Sequence, residues 1–195
     1  MVEWGMTSFW TGERVRLRAI ETADAEAFLR FAEEEERLGG LLLPPRSAAS
    51  YETWAKAQSQ AQSAAEPEGE GIQLVIEAVG TGQAVGAVSV RHADPVSGCF
   101  EYGVTIGADH RRAGYAAEAV VMVLRYMFDE RRYHKCQARV FAHNEPSLAF
   151  HRRLGFTEEG RLRDQVFFAG RHHDLVLFGI LAPEFAGAHP LPPSA

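Results

Sequence analysis

The spacing of apolar residues in this chain changes from a strand pattern to a helix pattern near residues 107–114, and that change limits the folds it can adopt. Before it, short runs separated by turn residues have the pattern of β-strands, at residues 72–79, 85–90 and 100–106. After it, apolar residues recur at helical spacing over residues 114–132. A strand meander that leads directly into a helix is typical of an α+β domain.

The flanking segments extend this pattern. Apolar residues alternate with arginines at residues 14–18, which predicts a first strand, and two helices follow, the second over residues 48–65. Beyond the central helix we predict a strand near residues 136–141, a short helix from Pro146 and a hairpin within residues 162–181. The expected fold is α+β and layered: a mixed, mostly antiparallel sheet of about seven strands, flanked by about four helices.

The length of 195 residues allows one domain with short appendages. We expect an N-terminal extension over residues 1–10, a single domain over residues 11–182 and a loose, proline-rich tail over residues 183–195. No apolar run approaches the roughly 18–20 residues of a membrane helix, and the N-terminus lacks the basic and apolar segments of a signal peptide. The expectation is a cytoplasmic protein with no membrane partner.

Charge and cysteine content argue against several classes of function. The net charge is −6, and the first 98 residues carry 15 acidic and 8 basic side chains. A duplex nucleic-acid binder needs a concentrated basic face, so no nucleic-acid partner is expected. Cys99 and Cys136 match no zinc spacing, and the neighbours His172 and His173 would point to opposite faces of a strand. We therefore predict no metal site.

The segment Arg111–Ala116, between a predicted strand and a predicted helix, has the composition of an anion-binding loop. Its small residues let the backbone approach a ligand, and the free amides of the helix N-terminus attract negative charge. Two arginines stand beside them, as a phosphate or pyrophosphate site requires. The hexapeptide alone fits a plain strand-to-helix turn equally well. The chain has no nucleoside-triphosphate P-loop motif and no Gly-x-Gly-x-x-Gly after its first strand.

A second motif follows one helix and one strand later, from Asn144 to the Leu-Gly-Phe triplet at residues 154–156. With the Arg-x-x-Gly-x-Ala loop, in this order and at this separation, it resembles the GNAT superfamily of acyl-CoA-dependent N-acetyltransferases. The first strand and the last hairpin, at residues 14–18 and 174–178, are similar to the branch with ribosomal-protein N-terminal acetyltransferases and polyamine acetyltransferases. The resemblance covers about residues 10–182 and implies a GNAT-like fold.

The resemblance implies acetyl-CoA as acyl donor and no metal. It implies that the strand before the loop splays away from the next strand and contacts the acyl-pantetheine through Val104, Thr105 and Ile106. It implies that the loop amides hold the pyrophosphate, from Arg111, Arg112, Ala113, Gly114, Tyr115 and Ala116. The second motif supplies the remaining contacts: Asn144 and Ser147 near the thioester, and Phe150 and Arg153 beside the CoA.

In such enzymes the amine attacks the thioester directly, so a general base assists by removing its proton. Glu101, at the start of the splayed strand, is our first candidate for the base, and Glu77 is the second. A carboxylate at a strand end with no chemical role is the alternative. We expect the Val104 amide to stabilise the tetrahedral oxyanion.

The proton donor for the departing thiolate is less defined. Many family members have tyrosine seven residues after the asparagine, where this chain has His151. A histidine can donate a proton, and it can equally pack in the interior. Ser147 ranks slightly ahead of it, although a serine hydroxyl is a poor acid and can instead bond the sulfur or cap the helix.

The expected acceptor is a primary amine, carried by a small molecule such as a polyamine or an aminoglycoside, or by a protein N-terminus. Two alternatives stay open: a CoA-binding module whose catalytic groups have drifted, and an interaction domain whose arginine loop grips another anion. The apolar segment at residues 38–45 fits two roles, lining the acceptor cleft or contacting a second subunit, and the second would give a homodimer.

Overall fold

The computed structural model describes residues 8–37, 44–63 and 71–190. The strands are β1 (Val15–Arg18), β2 (Ile72–Ala78), β3 (Ala84–Asp94), β4 (Cys99–Ile106), β5 (Lys135–Phe141), β6 (Thr157–Phe168) and β7 (Arg171–Leu181). The helices are α1 (Ala25–Arg37), α2 (Ala48–Gln62), α3 (Tyr115–Arg125), α4 (Glu145–Arg153) and α5 (Ala182–Ala188).

All seven strands form one sheet in the order β1-β2-β3-β4-β5-β7-β6. Every neighbouring pair is antiparallel except β4 and β5, which run parallel. The parallel pair is where the long connection through α3 crosses the sheet, because parallel neighbours cannot be joined by a tight turn. The predicted α+β fold with a mixed, mostly antiparallel sheet is confirmed.

The helices form a layer on each face of the sheet. The helices α1 and α2 bury Phe28, Phe31 and Ala55 against Val75 of β2. The larger core lies on the other face, where α3, α4 and α5 pack against the alternate residues of the central strands. Burial of these apolar side chains is the main free energy that holds the layers together.

The carboxyl-terminal segment differs from its prediction. Residues 183–195 were expected to be loose, yet residues 182–188 form α5. Pro183 suits the first turn of a helix, the Glu184 carboxylate accepts the Leu181 amide at 2.9 Å, and Phe185 is 2% exposed in the core. One buried aromatic ring therefore anchors a segment whose proline content indicated a free tail.

Two predictions fall on residues that the structure does not describe. These are most of the N-terminal extension, of which only residues 8–10 are described, and the apolar segment at residues 38–45, of which only Pro44 and Pro45 are described.

Candidate active site

The parallel strands β4 and β5 pair for only part of their length. Their register runs from Cys99 opposite Lys135 to Glu101 opposite Gln137. Beyond that point β4 continues to Ile106 and β5 to Phe141, and these fully described residues form no further pairs with each other. The two strands therefore diverge toward their carboxyl ends and leave a wedge-shaped opening in the sheet.

Backbone groups of β4 point into this opening. The Gly107 amide donates to the Val85 carbonyl at 3.0 Å, and hydrogen-bonded pairs alternate along an antiparallel ladder. By that alternation Thr105 turns its backbone to β3, whereas Val104 and Ile106 present theirs to the opening. The Ile106 carbonyl accepts the Arg111 Nε at 3.3 Å, as that direction requires. Of the predicted pantetheine contacts, Val104 and Ile106 thus face the opening through their main chain.

Both candidate motifs lie at the wide end of the opening. Parallel strands end at the same edge of a sheet, and α3 follows β4 while α4 follows β5. The N-termini of these two helices therefore flank the opening. This is the edge at which ligands bind in parallel sheets.

The Arg111–Ala116 segment is a tight turn with two residues in the left-handed region. Arg112 has φ +64° and Gly114 has φ +82°. A single turn of 3₁₀ helix at Ala108–His110 precedes it, and the Arg111 amide bonds back to the Ala108 carbonyl at 3.4 Å. Gly114 is the N-cap of α3, so the amides of Tyr115 and Ala116 lie in its first turn, where no intrahelical acceptor exists.

Two residues that the sequence did not single out help to build this loop. The Glu118 carboxylate of α3 accepts the amides of Glu13, Arg14 and Val15 at 2.6, 2.9 and 3.0 Å. This fixes the start of β1 beside the helix N-terminus. The Arg14 guanidinium then lies against Gly114, with Nη1 3.0 Å from the position that a Cβ there would take. The Arg14 guanidinium therefore lies at the helix end that Arg111 and Arg112 precede in the chain.

Helix α4 carries the second motif. The Asn144 side chain caps the helix by accepting the Ser147 amide at 3.2 Å. Ser147 is half-buried, and its hydroxyl lies 3.5 Å from Nδ1 of His151. Phe150 is half-buried against the core, and Arg153 is exposed in the last turn.

His151 lies inside the core. Its Nδ1 donates to the Ser147 carbonyl at 2.8 Å, so its Nε2 accepts from the Tyr102 hydroxyl, also at 2.8 Å. The ring stacks on Phe178 with 5.4 Å between centroids and is 5% exposed. Burial lowers the pKa of His151 and raises that of Tyr102. The pair is a satisfied, neutral connection between β4 and α4.

The two candidate bases lie in different surroundings. Glu101 is the last residue of β4 that pairs with β5. Its carboxylate lies 3.3 Å from Nδ1 of His92, on a polar part of the sheet surface. Glu77 is 9% exposed and is held by Arg16 at 2.7 Å and Arg18 at 2.5 Å. Both oxygens of Glu77 are thus occupied by guanidinium donors, and β2 lies two strands away from β4, so the geometry favours Glu101.

A surface groove lies between α1 and the loop after β4, lined in part by Arg30, Ala84 and His110. It adjoins the 3₁₀ turn at Ala108–His110 and does not reach the opening between β4 and β5. Within the described ranges, no three His, Cys, Asp or Glu side chains gather as a metal site would need. No helix in those ranges is long and apolar enough to cross a membrane.

Comparison with known proteins agrees with the motifs. The family description "acetyltransferase (GNAT) domain" matches residues 14–157. The SPbeta prophage-derived uncharacterized N-acetyltransferase YokL of Bacillus subtilis is 32% identical over 182 residues, or 93% of this chain and 98% of that protein. The [ribosomal protein uS5]-alanine N-acetyltransferase of Escherichia coli is 31% identical over 83 residues, which cover 43% of each chain.

Solved structures share the fold. A crystal structure of spermidine N-acetyltransferase from Vibrio cholerae, in complex with CoA and spermine, superposes with a TM-score of 0.74 over 89% of this chain and 99% of that one, at 21% identity. The matched family region contains β1, the divergent strands, the arginine loop and α4. The chain described here is a member of the GNAT acetyltransferase family.

Proposed function

We propose that this protein transfers the acetyl group of acetyl-CoA to a primary amine. The observation that carries the proposal is the divergence of β4 from β5 after Glu101, where the backbone of Val104 and Ile106 faces the gap without pairing to β5. An extended pantetheine arm can pair with such an edge as a peptide strand would. Membership of the acetyltransferase family supports the same reading.

The phosphates of CoA would lie at the N-terminus of α3. The amides of Ala113, Gly114, Tyr115 and Ala116 lie there, and Arg111 and Arg112 directly precede them in the chain. The positive end of a helix dipole and guanidinium groups both favour a pyrophosphate. On the α4 side, Asn144, Ser147, Phe150 and Arg153 would contact the rest of the cofactor.

Transfer would proceed by direct attack of the neutral amine on the thioester carbonyl carbon. A C–N bond forms, and Glu101 takes the proton released by the nitrogen. The Val104 amide, directed into the opening, would donate to the oxyanion. The C–S bond then breaks, and the thiolate accepts a proton or a hydrogen bond, for which Ser147 is better exposed than the buried His151.

The proposal also covers the acceptor, the compartment and the assembly. A polyamine, an aminoglycoside and a protein N-terminus are the acceptor classes we propose, and relatives named for spermidine and for a ribosomal-protein alanine support the first and last. We propose one catalytic domain that begins near residue 11 and includes α5, working in the cytoplasm as a homodimer. Two free cysteines and exposed Phe167 on the edge strand β6 support these last points.

A second candidate function draws on the position of His151. Its ring is committed to the Ser147 carbonyl and Tyr102, in the place where many family members have a catalytic tyrosine. A protein that binds acyl-CoA but turns it over weakly, or not at all, would result if no other group protonates the thiolate.

Calorimetric titration with acetyl-CoA, CoA and ATP tests the proposal, followed by free-thiol release with a panel of amines. We expect micromolar binding of both CoA species, no comparable binding of ATP, and loss of binding in Gly114→Leu, because φ +82° strains a residue with a Cβ and the new side chain would displace the Arg14 guanidinium. The matched control is Gly170→Leu, at a turn with φ +79° and open space around it. Binding without thiol release would favour the second candidate. Absence of binding would overturn both.

A further inference from the structure

The polar strip beside the opening carries an unusual pair of charges. On the face covered in part by α1 and α2, the row Val75, Ala87 and Thr105 lies under or beside those helices. The next rows are polar and accessible: Gln73, Ser89 and Gly103, then Arg91, Glu101 and Gln137. This strip is the part of the face from which an acceptor would reach an acyl group held between β4 and β5.

Arg91 and Glu101 stand directly opposite each other on β3 and β4. Opposite charges at such positions ordinarily pair across the strands. Here the Glu101 carboxylate turns to His92, and the Arg91 guanidinium lies over Gly103, with Nη2 2.5 Å from the position of a Cβ at residue 103. Among the residues that the structure describes, the Arg91 side chain has no hydrogen-bond or ion-pair partner.

Gly103 leaves the space above it to this guanidinium. It lies between Glu101, the proposed base, and Val104, the proposed oxyanion donor. A side chain at residue 103 would displace the guanidinium, so the glycine lets a cation lie against the backbone next to the reacting atoms. The register also places His92, Arg139 and the Lys135–Glu159 ion pair beside this strip; the Glu159 carboxylate lies over Gly179, next to Gln137, and is already bound by Lys135 at 2.7 Å.

We propose that Arg91 binds a carboxylate of the acceptor, so that the preferred acceptor is a primary amine with a carboxylate within a few bonds of its nitrogen. Glu101 receives the proton of the amine, and Arg91 holds the carboxylate through its planar fork of N–H donors. A free amino acid has this chemistry, and so does a peptide that begins with Asp or Glu. Among the acceptor classes proposed above, this favours an N-terminus over a polyamine or an aminoglycoside, because a polycation has no group for Arg91 and is repelled by it. This inference rests on the proposed acetyl transfer.

Two acceptor pairs test it, and in each pair a carboxylate is replaced by an amide. Alanine is compared with alaninamide, and the peptide amide Asp-Ala-Ala with Asn-Ala-Ala; these arms separate a free amino acid from an acidic peptide N-terminus. The wild type is expected to favour the carboxylate member of at least one pair by about tenfold in kcat/KM. In Arg91→Gln that ratio is expected to fall to about one, and Arg91→Lys to retain part of it.

Arg132→Gln, a substitution of an exposed arginine beyond the end of α3, is the matched control and should keep the wild-type ratio. Binding of each amine in the presence of CoA, measured by calorimetry, gives a second readout that needs no turnover. Equal use and equal binding of both members of both pairs would overturn the inference, as would a carboxylate preference that survives in Arg91→Gln.

Acetyl-CoA titration of the same variants distinguishes failure of the proposed acetyl transfer from failure of the carboxylate inference. Arg91→Gln should bind acetyl-CoA as the wild type does, since Arg91 lies on the acceptor side of β4. Failure of the wild type to bind acetyl-CoA would overturn the proposed function, and the carboxylate inference with it. Binding and turnover without carboxylate preference would overturn the inference alone.

Discussion

The contact between Glu118 and the start of β1 is the sharpest test of how the cofactor loop is built. One carboxylate accepts three backbone amides, at 2.6, 2.9 and 3.0 Å. A hydrogen bond to a charged group contributes about 1.5–3 kcal/mol when shielded and less when exposed. Only the Val15 contact is partly buried. Glu118→Ala should therefore lower the free energy of unfolding by about 2–4 kcal/mol.

Glu118→Gln distinguishes lost charge from lost packing. The amide keeps one oxygen acceptor and places an NH₂ group against the remaining backbone donor, so we expect a loss of about 1–2 kcal/mol. Urea unfolding followed by circular dichroism measures both values, and Glu130→Ala, an exposed carboxylate at the end of the same helical segment, is the control. If both Glu118 variants unfold within about 0.5 kcal/mol of the control, the carboxylate does not hold β1 and the reasoning is refuted.

Three further predictions concern binding, catalysis and pH. Arg14→Ala should weaken acetyl-CoA binding about tenfold by calorimetry, since it removes a guanidinium from the N-terminus of α3; equal affinity would exclude Arg14 from the phosphate site. Glu101→Gln should lower kcat by about 10²-fold or more and change its pH profile, and unchanged turnover across pH would remove Glu101 from the mechanism. Burial lowers the pKa of His151, so the unfolded chain takes up a proton that the native state refuses as pH falls below about 6.5. Unfolding free energy should therefore decline between about pH 7 and pH 5, less steeply in His151→Asn, and identical slopes would contradict this.

Periodicity and turn residues were enough to predict most of the elements. The strand meander, the central helix and the last hairpin follow from local spacing, and the structure confirms the fold that they indicate. The error at residues 183–188 is of another kind. Proline content indicated a free tail, whereas the packing of Phe185 against the core, which no local pattern reveals, stabilises a short helix.

The same distinction between local and long-range features applies to the candidate site. The arginine loop and the Asn144 motif are local, so the sequence displays them. Glu118 and Arg14 lie 104 positions apart in the chain and meet only because α3 packs on β1. The surroundings of Glu77 and His151 likewise depend on partners from other elements, Arg16 and Arg18 for one and Tyr102 for the other.

The short seam between β4 and β5 has a mechanical consequence. Only three residue pairs of the described strands join the part of the sheet formed by β1–β4 to the part formed by β5, β7 and β6. Main-chain hydrogen bonding therefore does little to set the angle between these two parts. The side chains beneath the seam set this angle, because Phe100, Cys136 and Ala138 are buried in one continuous core with α3 and α4. Protein interiors are close-packed and resist compression. The width of the cleft is therefore set by the volume of buried side chains, and a methyl group removed under the seam would alter cofactor fit from a distance.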